Sequence, residues 1–319
     1  MKHAKIATEA AALPQLQGKL FLADGGIETT LIFHEGIDLP HNAAFILLRS
    51  EEGKMRLRDY FEPYIAVAKE AGTGLVLESA TWRSNPDWAA RIGVGLGELD
   101  QLNREAILLL HKLRAEHATG SSPIVISGCV GPRGDGYRPE EIMTADEAQG
   151  YHTRQIEVFR DAGADMIAAI TMTNIPEAIG ITRAAEAADI PVAVSFTVET
   201  DGRLPTGMAL KSAIAEVDEA TGGAPSYYMI NCAHPSHFVA ALAAEEPWVK
   251  RIRGIRANAS RLSHADLDEA PELDTGNPEE LGREHRELLA ILPHLAVMGG
   301  CCGTDHRHVR AIAKACATA

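Results

Sequence analysis

Three cysteines carry the clearest chemical signal in this 319-residue sequence. Cys301 and Cys302 are adjacent within Gly-Gly-Cys-Cys-Gly at positions 299–303, and Cys232 directly follows Asn231 earlier in the chain. Thiolates are ligands that Zn²⁺ prefers, and three protein ligands leave its fourth tetrahedral position open for a substrate. A thiol in that position would lose its proton at neutral pH. We therefore predict a catalytic Zn²⁺ site formed by Cys232, Cys301 and Cys302.

Two alternative interpretations remain open. Free cysteine is among the most buried residue types and often only packs in a core, which we expect for the lone Cys129 and Cys316. The cysteine pair also lacks the two-residue gap of common zinc motifs. Histidines near the cysteines are the second alternative, as a rival set of metal ligands: His234, His237, His306 and His308. We expect most of them to lie at helix ends or on the surface instead.

The cysteine pair follows a short apolar run at residues 295–298, which predicts a buried strand. In a regular strand, adjacent side chains point to opposite faces, so Cys301 and Cys302 could not both face one site. We expect Gly299 and Gly300 to let the backbone leave the strand and so remove that obstacle. The next helix is predicted to begin near residues 305–308.

Short apolar runs alternate with segments of helical periodicity along the whole chain. Eight strands separated by helices, without a linker or a short internal repeat, favour an α/β fold: a single-domain (β/α)₈ TIM barrel over residues 19–319. Residues 1–18 are predicted to be an N-terminal tail or cover. A doubly wound parallel sheet is the alternative architecture. The predicted strands cover residues 19–23, 75–79, 123–127, 166–170, 191–197, 227–231, 252–257 and 295–298.

In such a barrel, polar residues at the carboxyl ends of the strands meet at one mouth. Cys232 ends strand six and the cysteine pair ends strand eight, and alternate strands contribute to the same layer of the barrel. The three thiols can therefore reach a common point. Thr171 and Asn231 are candidate substrate-binding residues there. The polar residues at predicted strand ends, apart from the cysteines, are Asp24, Glu78, Ser127, Thr171, Thr197, Asn231 and Asn258.

The composition narrows the class of partner. The formal net charge is −14 and no run of Lys or Arg is present, which argues against nucleic acid. No apolar run approaches the roughly 18 residues of a membrane span. Five cysteines, two of them adjacent, do not fit a disulfide framework and favour a reducing cytoplasm. We therefore predict a cytoplasmic enzyme of small-molecule substrates, with no membrane or nucleic-acid partner, and leave a homo-oligomer open.

Three short elements together resemble the homocysteine S-methyltransferase family: Asp24-Gly25-Gly26, Asn231-Cys232 and Gly-Gly-Cys-Cys-Gly-Thr at 299–304. The resemblance extends over residues 20–315, and residues 127–135 look like the family's segment after strand three. It implies a (β/α)₈ barrel whose Zn²⁺ is held by the three cysteines. It also implies that Asp24, with the backbone amides around Gly25 and Gly26, holds the amino-acid end of homocysteine. A turn-forming or capping role is the alternative for Asp24.

The sequence departs from the family at two places. Where the family usually has Glu-Thr after strand four, with a glutamate that helps to bind the substrate amino group, this chain has Ile170-Thr171. Glu78 is the candidate to supply the missing negative charge. After strand two the family often reads Thr-Asn-Thr-Phe, whereas this chain reads Ser-Ala-Thr-Trp at 79–82. Trp82 and Tyr228 are candidates to present an aromatic face to a cationic methyl donor, with core packing as the alternative.

The resemblance implies a zinc-dependent methyltransferase that makes methionine from homocysteine. Its donor would be a small sulfonium or ammonium compound: S-methylmethionine, betaine or S-adenosylmethionine. Because Ile170 replaces the glutamate, a different thiol acceptor and a non-catalytic thiol-binding barrel are alternatives. Hydrolysis by a zinc-activated water is disfavoured, because three thiolates make zinc a poor Lewis acid. We expect the acidic stretch at 263–280 to be a solvated loop, with a lid over the mouth as the alternative.

Overall fold

The computed structural model describes residues 13–139, 141–242, 246–269 and 272–317 of the chain. Its strands are β1 Phe21–Leu22, β2 Gly74–Glu78, β3 Ile124–Val130, β4 Met166–Met172, β5 Val192–Phe196, β6 Tyr227–Asn231, β7 Ile252–Ala257 and β8 Val297–Gly300. All eight are parallel, each pairs with its neighbours in sequence, and β1 pairs with β8 to close a barrel. The predicted (β/α)₈ barrel is confirmed. The doubly wound alternative is wrong, because this sheet closes on itself.

Side chains that alternate along each strand fill two different cores. In β4, Met166, Ala168 and Ile170 belong to the core inside the barrel. Their neighbours Ile167 and Ala169 belong to the larger core between the strands and the helices. Because both faces of the sheet are covered, the strands are nearly continuous apolar runs rather than alternating ones. The inner core ends below the mouth, where polar side chains replace apolar ones.

Helices follow the strands and pack their apolar faces on the outside of the barrel. The predicted helices are present, with shifts of a few residues at their described ends, and the two short helices after β2 and β7 were not predicted. The helices are α1 Glu51–Ala71, α2 Pro86–Arg91, α3 Leu96–His117, α4 Ala145–Asp161, α5 Ile175–Ala187, α6 Leu210–Thr221, α7 Pro235–Leu242, α8 His264–Glu269, α9 Pro278–Ile291 and α10 His306–Cys316.

Local signals set the ends of α1. The Ser50 hydroxyl accepts a hydrogen bond from the Gly53 amide at 3.0 Å, and Gly72 ends the helix with a φ of 65°. A proline inside a helical pattern predicts a kink or a restart, yet α1 runs through Pro63 as one helix. The loss of one backbone hydrogen bond is offset by the buried face of the helix, which includes Tyr60.

Residues 13–18 are the described part of the predicted tail or cover, and they cover the amino-terminal end of the barrel. Leu13 packs with the inner core. Gln15 is fully buried, and its Nε2 atom donates to the Tyr227 hydroxyl at 3.4 Å, at the start of β6. One end of the barrel is therefore closed. Residues 1–12 lie outside the described residues.

The loops at the carboxyl ends of the strands form the other end. The chain leaves β1 through a short turn and continues in a π-helical turn, Thr29–His34. The segment after β7 contains α8. Among the described helices, none combines the length and the apolar character that a membrane crossing requires.

Candidate metal centre and active site

The three predicted cysteines lie together at the carboxyl-terminal end of the barrel. The Sγ atoms of Cys232, Cys301 and Cys302 lie within 4.8 Å of one another, and those of Cys232 and Cys302 are 3.8 Å apart. Tetrahedral Zn–S bonds of about 2.3 Å would place two sulfurs about 3.8 Å apart, so the thiols fit a zinc ion. In the described part of the chain this is the one such cluster of His, Cys, Asp and Glu ligands, so the rival histidine set is not assembled.

The turn after β8 brings both adjacent cysteines to this site. Contrary to the prediction, the strand does not end before Gly299; it runs through Gly300, and neither glycine has a positive φ. They are required for space instead, because a Cβ at position 299 would lie 2.8 Å from the Ala23 Cβ and one at position 300 would overlap Thr304. Gly303 supplies the left-handed residue, with a φ of 77°.

Two residues next to the thiols have unusual backbone conformations. Cys232 and the β-branched Thr171 have φ values of 52° and 63°, in the left-handed region that such residues rarely adopt. The Asn231 side chain holds this arrangement. Its Oδ1 accepts from the Thr171 amide at 2.9 Å and from the Ser195 hydroxyl at 2.6 Å, and its Nδ2 donates to the Thr171 hydroxyl at 2.8 Å.

Asn231 also contacts the thiol cluster from its buried side. Its Nδ2 lies 3.9 Å from the Cys301 sulfur, and the residue is fully buried. Thr171, in contrast, lines the cavity described below. The structure therefore makes Asn231 a positioning residue, whereas the substrate contacts predicted for Asn231 and Thr171 stay predictions.

The three thiols shift one another's pKa values. Hydrogen bonds from the Cys301 and Cys302 thiols lower the pKa of Cys232 well below its usual value. The anionic Cys232 in turn raises the pKa of Cys301 to about 12, and that of Cys302 also rises. Three thiolates at this spacing would repel one another, so all three could ionise together only around a bound cation. This donor set suits Zn²⁺.

A tyrosine that the sequence analysis did not identify lies over the thiols. The Tyr137 hydroxyl, in the loop after β3, is 3.4 Å from the sulfurs of both Cys232 and Cys302. Its ring stacks on His264 of α8, with centroids 4.2 Å apart. The two ring nitrogens of His264 lie 3.1 Å from a Glu199 carboxylate oxygen and 2.6 Å from the Cys232 carbonyl. Loops after β3, β5 and β7 thus meet above the cysteines.

A buried arginine, also not identified from the sequence, lies between two predicted substrate-binding carboxylates. The Arg256 guanidinium donates to Asp24 Oδ1 and to Glu78 Oε2. The remaining carboxylate oxygens accept from the Tyr60 hydroxyl at 2.9 Å and from the Ser127 hydroxyl at 2.9 Å, respectively. All four oxygens therefore have protein donors. Contact of Asp24 or Glu78 with a substrate amino group stays a prediction. A bound amino group would have to compete with Arg256 for these carboxylate oxygens.

Burial decides the pKa of both carboxyl groups. It raises the pKa of Asp24 and of Glu78, and the opposing effect of Arg256 only partly offsets it. A signal for Arg256 was present in the sequence, because a charged residue in a predicted barrel strand needs a partner if it is buried, although Arg253 of the same strand gives the same signal and is only half-buried. For Tyr137 no comparable signal existed, since it lies in an irregular loop.

The aromatic residues proposed for a methyl donor have different positions. Trp82 lines the cavity, but the Arg83 guanidinium lies 4.1 Å from its ring centre and 4.0 Å from that of Trp88. Part of the Trp82 surface is therefore already in contact with a protein cation. The prediction for Tyr228 is wrong: its hydroxyl donates to Asp218 of α6 at 2.8 Å, on the outer side of the sheet.

The three cysteines, Tyr137, Arg256 and the loops around them surround a cavity of about 410 Å³ at the barrel mouth. Gly25 and Gly26 line it, and neither has room for a Cβ, because Tyr64 and the Cys301 carbonyl lie within 2.8 Å of those positions. Ser127, Thr197 and Asn258 are buried and are not among the described lining residues. The described part of the 263–280 stretch contributes wall residues: His264 is buried and Leu267 and Leu273 are half-buried, contrary to the solvated-loop expectation, whereas Glu272 and Asp274 are exposed. These wall residues are His264, Leu267, Glu272, Leu273 and Asp274.

Known proteins share this sequence pattern along most of the chain. A family model described as homocysteine S-methyltransferase matches residues 21–316. Homocysteine S-methyltransferase 4 of Zea mays is 25% identical over 326 residues, which cover 93% of this chain and 90% of the maize protein. Selenocysteine Se-methyltransferase of Brassica oleracea var. italica is 25% identical over 325 residues, which cover 93% of this chain and 89% of that relative.

A solved structure shares the fold. The homocysteine methyltransferase MmuM of Escherichia coli, in its metallated form, superposes with a TM-score of 0.72 at 21% sequence identity. The superposition covers 96% of this chain and 99% of that protein. The similarity therefore extends over the whole barrel, including the end that carries the three cysteines.

Proposed function

Because this chain belongs to the homocysteine S-methyltransferase family, we propose that it transfers a methyl group from a small onium donor to the thiol of homocysteine, giving methionine. The observation that carries the proposal is the cluster of Cys232, Cys301 and Cys302 on the wall of a barrel-mouth cavity. A reducing, cytoplasmic setting follows as part of the proposal, because these thiols must stay reduced to bind a metal.

We propose that Cys232, Cys301 and Cys302 hold Zn²⁺. A bound zinc ion would favour loss of the acceptor thiol's proton at neutral pH while leaving the sulfur electron-rich, because three thiolates already over-neutralise the metal charge. The fit of the donor set supports this assignment: three sulfurs lie within 4.8 Å of one another, and those of Cys232 and Cys302 are at the tetrahedral spacing of 3.8 Å. The metallated form of the Escherichia coli neighbour is consistent with it.

The chain's own residues position the reactants. In the reaction a bond forms between the acceptor sulfur and the methyl carbon, the bond between that carbon and the donor's sulfur or nitrogen breaks, and the acceptor's proton is released. Such a displacement depends mostly on alignment. Asn231 fixes Cys301 from behind, Arg256 fixes the turn that contains Asp24, and Tyr137 with His264 restricts access of water.

The volume of the cavity suits small substrates. A cavity of about 410 Å³ lies near the lower end of the range of small-molecule sites, about 300–1,000 Å³. We propose S-methylmethionine or betaine as donors ahead of the larger S-adenosylmethionine. A different thiol acceptor is the second candidate, because Ile170 lines the cavity with an apolar side chain where the resemblance implies a glutamate.

The proposal is tested by supplying zinc-loaded protein with homocysteine and each donor in turn, and measuring methionine by mass spectrometry. We expect product from at least one donor. Cys302→Ala should lose zinc and product together, whereas Cys316→Ala, a buried cysteine of α10 outside the cluster, should keep both. Unchanged zinc content and turnover in Cys302→Ala would contradict the three-thiol site. Absence of product with zinc bound would favour another acceptor.

A further inference from the structure

Glu28 lies on the wall of the thiol cavity, and the mechanism above gives it no part. It is half-buried and precedes the π-helical turn Thr29–His34. Gly26, two residues earlier, packs so closely on the Cys301 carbonyl that a Cβ there would lie 2.7 Å from its oxygen. Glu28 is therefore close in the fold to the thiols at which an acceptor sulfur must arrive.

The other carboxylates around the cavity already have protein partners. Arg256, Tyr60 and Ser127 occupy all four oxygens of Asp24 and Glu78, as described above. Asp135 accepts from the backbone amide of Tyr137 at 2.8 Å, and Asp274 accepts from Ser260 at 2.6 Å. Glu272 is exposed at the rim. None of these groups offers a free, sheltered negative charge to a ligand.

Glu28 differs from these carboxylates. Within the described part of the chain its carboxylate has a hydrogen bond only with its own backbone amide, and the positive charge of Arg83 acts on it through space. Burial, together with the neighbouring acidic groups Cys301 and Asp24, raises its pKa to about 7. A sheltered carboxylate without a partner is unfavourable, and a ligand cation would remove that cost.

Arg83 places the opposite charge on the same wall. It is nearly fully buried between Trp82 and Trp88, and its Nε–H has no acceptor among the described residues. Its Nη1 donates to the Gly134 carbonyl at 2.9 Å, and its Nη2 lies 3.7 Å from a carboxylate oxygen of Asp135, a more exposed residue. Glu28 and Arg83 together offer what the ammonium and carboxylate groups of a free α-amino acid require.

We propose that Glu28 binds the α-ammonium group of the amino-acid acceptor. This inference rests on the proposed methyl transfer to a thiol. Glu28, rather than Asp24 or Glu78, supplies the negative charge missing at Ile170. The cation is assigned to the acceptor and not to the donor, because Glu28 lies on the turn that packs against Cys301.

The test is calorimetric binding of two probes to zinc-loaded protein: L-homocysteine and 4-sulfanylbutanoate, which lacks the amino group. Glu28→Gln removes the charge and keeps the shape, so we expect it to weaken homocysteine binding by about 10- to 100-fold. The affinity for 4-sulfanylbutanoate should not change. Glu35→Gln, at an exposed position just after the same π-helical turn, is the matched control and should change neither affinity.

Each alternative gives a different result. Equal homocysteine affinity in wild type and Glu28→Gln overturns the proposal, as does an equal loss for both probes, which would indicate a merely structural role. Weaker S-methylmethionine binding with unchanged homocysteine binding would reassign Glu28 to the donor. Should Glu28→Gln fail to fold, Glu28→Asp keeps the charge with a shorter reach and should weaken homocysteine binding alone.

Binding and turnover separate this inference from the proposed function. Wild-type protein that binds homocysteine through Glu28 but forms no methionine with any donor would refute the methyl transfer and support the binding role. Wild-type protein that forms methionine while Glu28→Gln keeps full homocysteine affinity would support the methyl transfer and refute the binding role of Glu28.

Discussion

At the scale of single residues, the site depends on one buried cation. Arg256 lies between Asp24 and Glu78 and also donates to the Gly300 carbonyl at 3.2 Å, next to Cys301. A buried ion pair contributes little net stability compared with an apolar core, but removing one member leaves the others uncompensated. The turn with Asp24 and the turn with the cysteines are thus held by the same guanidinium.

Arg256→Met should lower the free energy of unfolding by about 3–5 kcal/mol at pH 7. Without the arginine, the pKa values of Asp24 and Glu78, already raised by burial, rise further in the folded state. Folding then favours their protonated forms, so the loss should shrink as the pH falls toward 5. Urea unfolding at both pH values tests this. Arg154→Met, which removes an exposed ion pair with Asp100, should cost less than about 1 kcal/mol.

A second residue-scale prediction concerns Asn231. Asn231→Ala leaves the buried Thr171 amide without its acceptor, so we expect a loss of about 2–3 kcal/mol in unfolding free energy. Zinc affinity should fall by about 10- to 100-fold, because outer partners orient the ligands. Competition with a chromogenic chelator measures the affinity. Asn277→Ala removes the cap of α9 and should cost about 1 kcal/mol with unchanged zinc affinity. Similar zinc affinities in both variants would exclude a positioning role for Asn231.

The sequence predicted the residues whose signal is local and missed those whose partners are distant. Glycines flank the adjacent cysteines, and all three cysteines follow the ends of even-numbered strands, β6 and β8. Arg256 meets carboxylates from β1 and β2, and Tyr137 reaches sulfurs after β6 and β8. Such contacts depend on how the barrel closes, and no spacing in the chain encodes them directly.

At the scale of elements, the turn after β8 determines where both adjacent thiols point. Gly299 and Gly300 were expected to end the strand, and instead they allow β8 to pack against the end of β1 and against Thr304. The sequence analysis identified both glycines as necessary but gave the wrong reason for them. A sequence does not distinguish a glycine that is needed because no Cβ fits from one that is needed because its φ is positive. The short helix α2 was missed although Asn85 caps it, since it has only six residues.

Gly300→Ala tests this element. A Cβ at position 300 overlaps the Thr304 side chain, so the turn must shift, and we expect a loss of about 1–3 kcal/mol together with weaker zinc binding. Thermal unfolding and zinc titration measure both effects. Gly97→Ala is the matched control, because its Cβ meets open space among the described residues in the first turn of α3. It should be neutral or raise the stability by up to about 1 kcal/mol. Native zinc affinity in Gly300→Ala would show that the turn tolerates the shift.

At the scale of the molecule, the alternation of eight apolar runs with helices was enough to predict the barrel. Which segments cover its mouth was not predictable. The stretch at 263–280 is acidic and was expected to be solvated, yet Leu267 and Leu273 face the cavity. A polar loop carries no periodicity that reveals which of its side chains face inward, and its position depends on packing against loops from other strands.

The last prediction concerns the pH dependence of the whole fold. His285 of α9 is fully buried, with Nδ1 2.9 Å from the Leu281 carbonyl. Burial lowers its pKa to about 4, whereas in the unfolded chain it titrates near 6.5. Between these values only the unfolded state binds the proton. Stability should therefore be complete above about pH 6.5 and should fall as the pH falls toward 4.

From this residue alone the loss between pH 7 and pH 5 should be about 2 kcal/mol. His285→Asn keeps a donor toward Leu281 but cannot titrate, so its unfolding free energy should fall by about 2 kcal/mol less than that of wild type over the same interval. Denaturant unfolding at the two pH values measures the difference. His306→Asn, at an exposed position at the start of α10, should retain the wild-type pH dependence. Parallel pH profiles for wild type and His285→Asn would show that His285 takes up its proton in the folded state, which would require water or an acidic partner to reach the core beside α9.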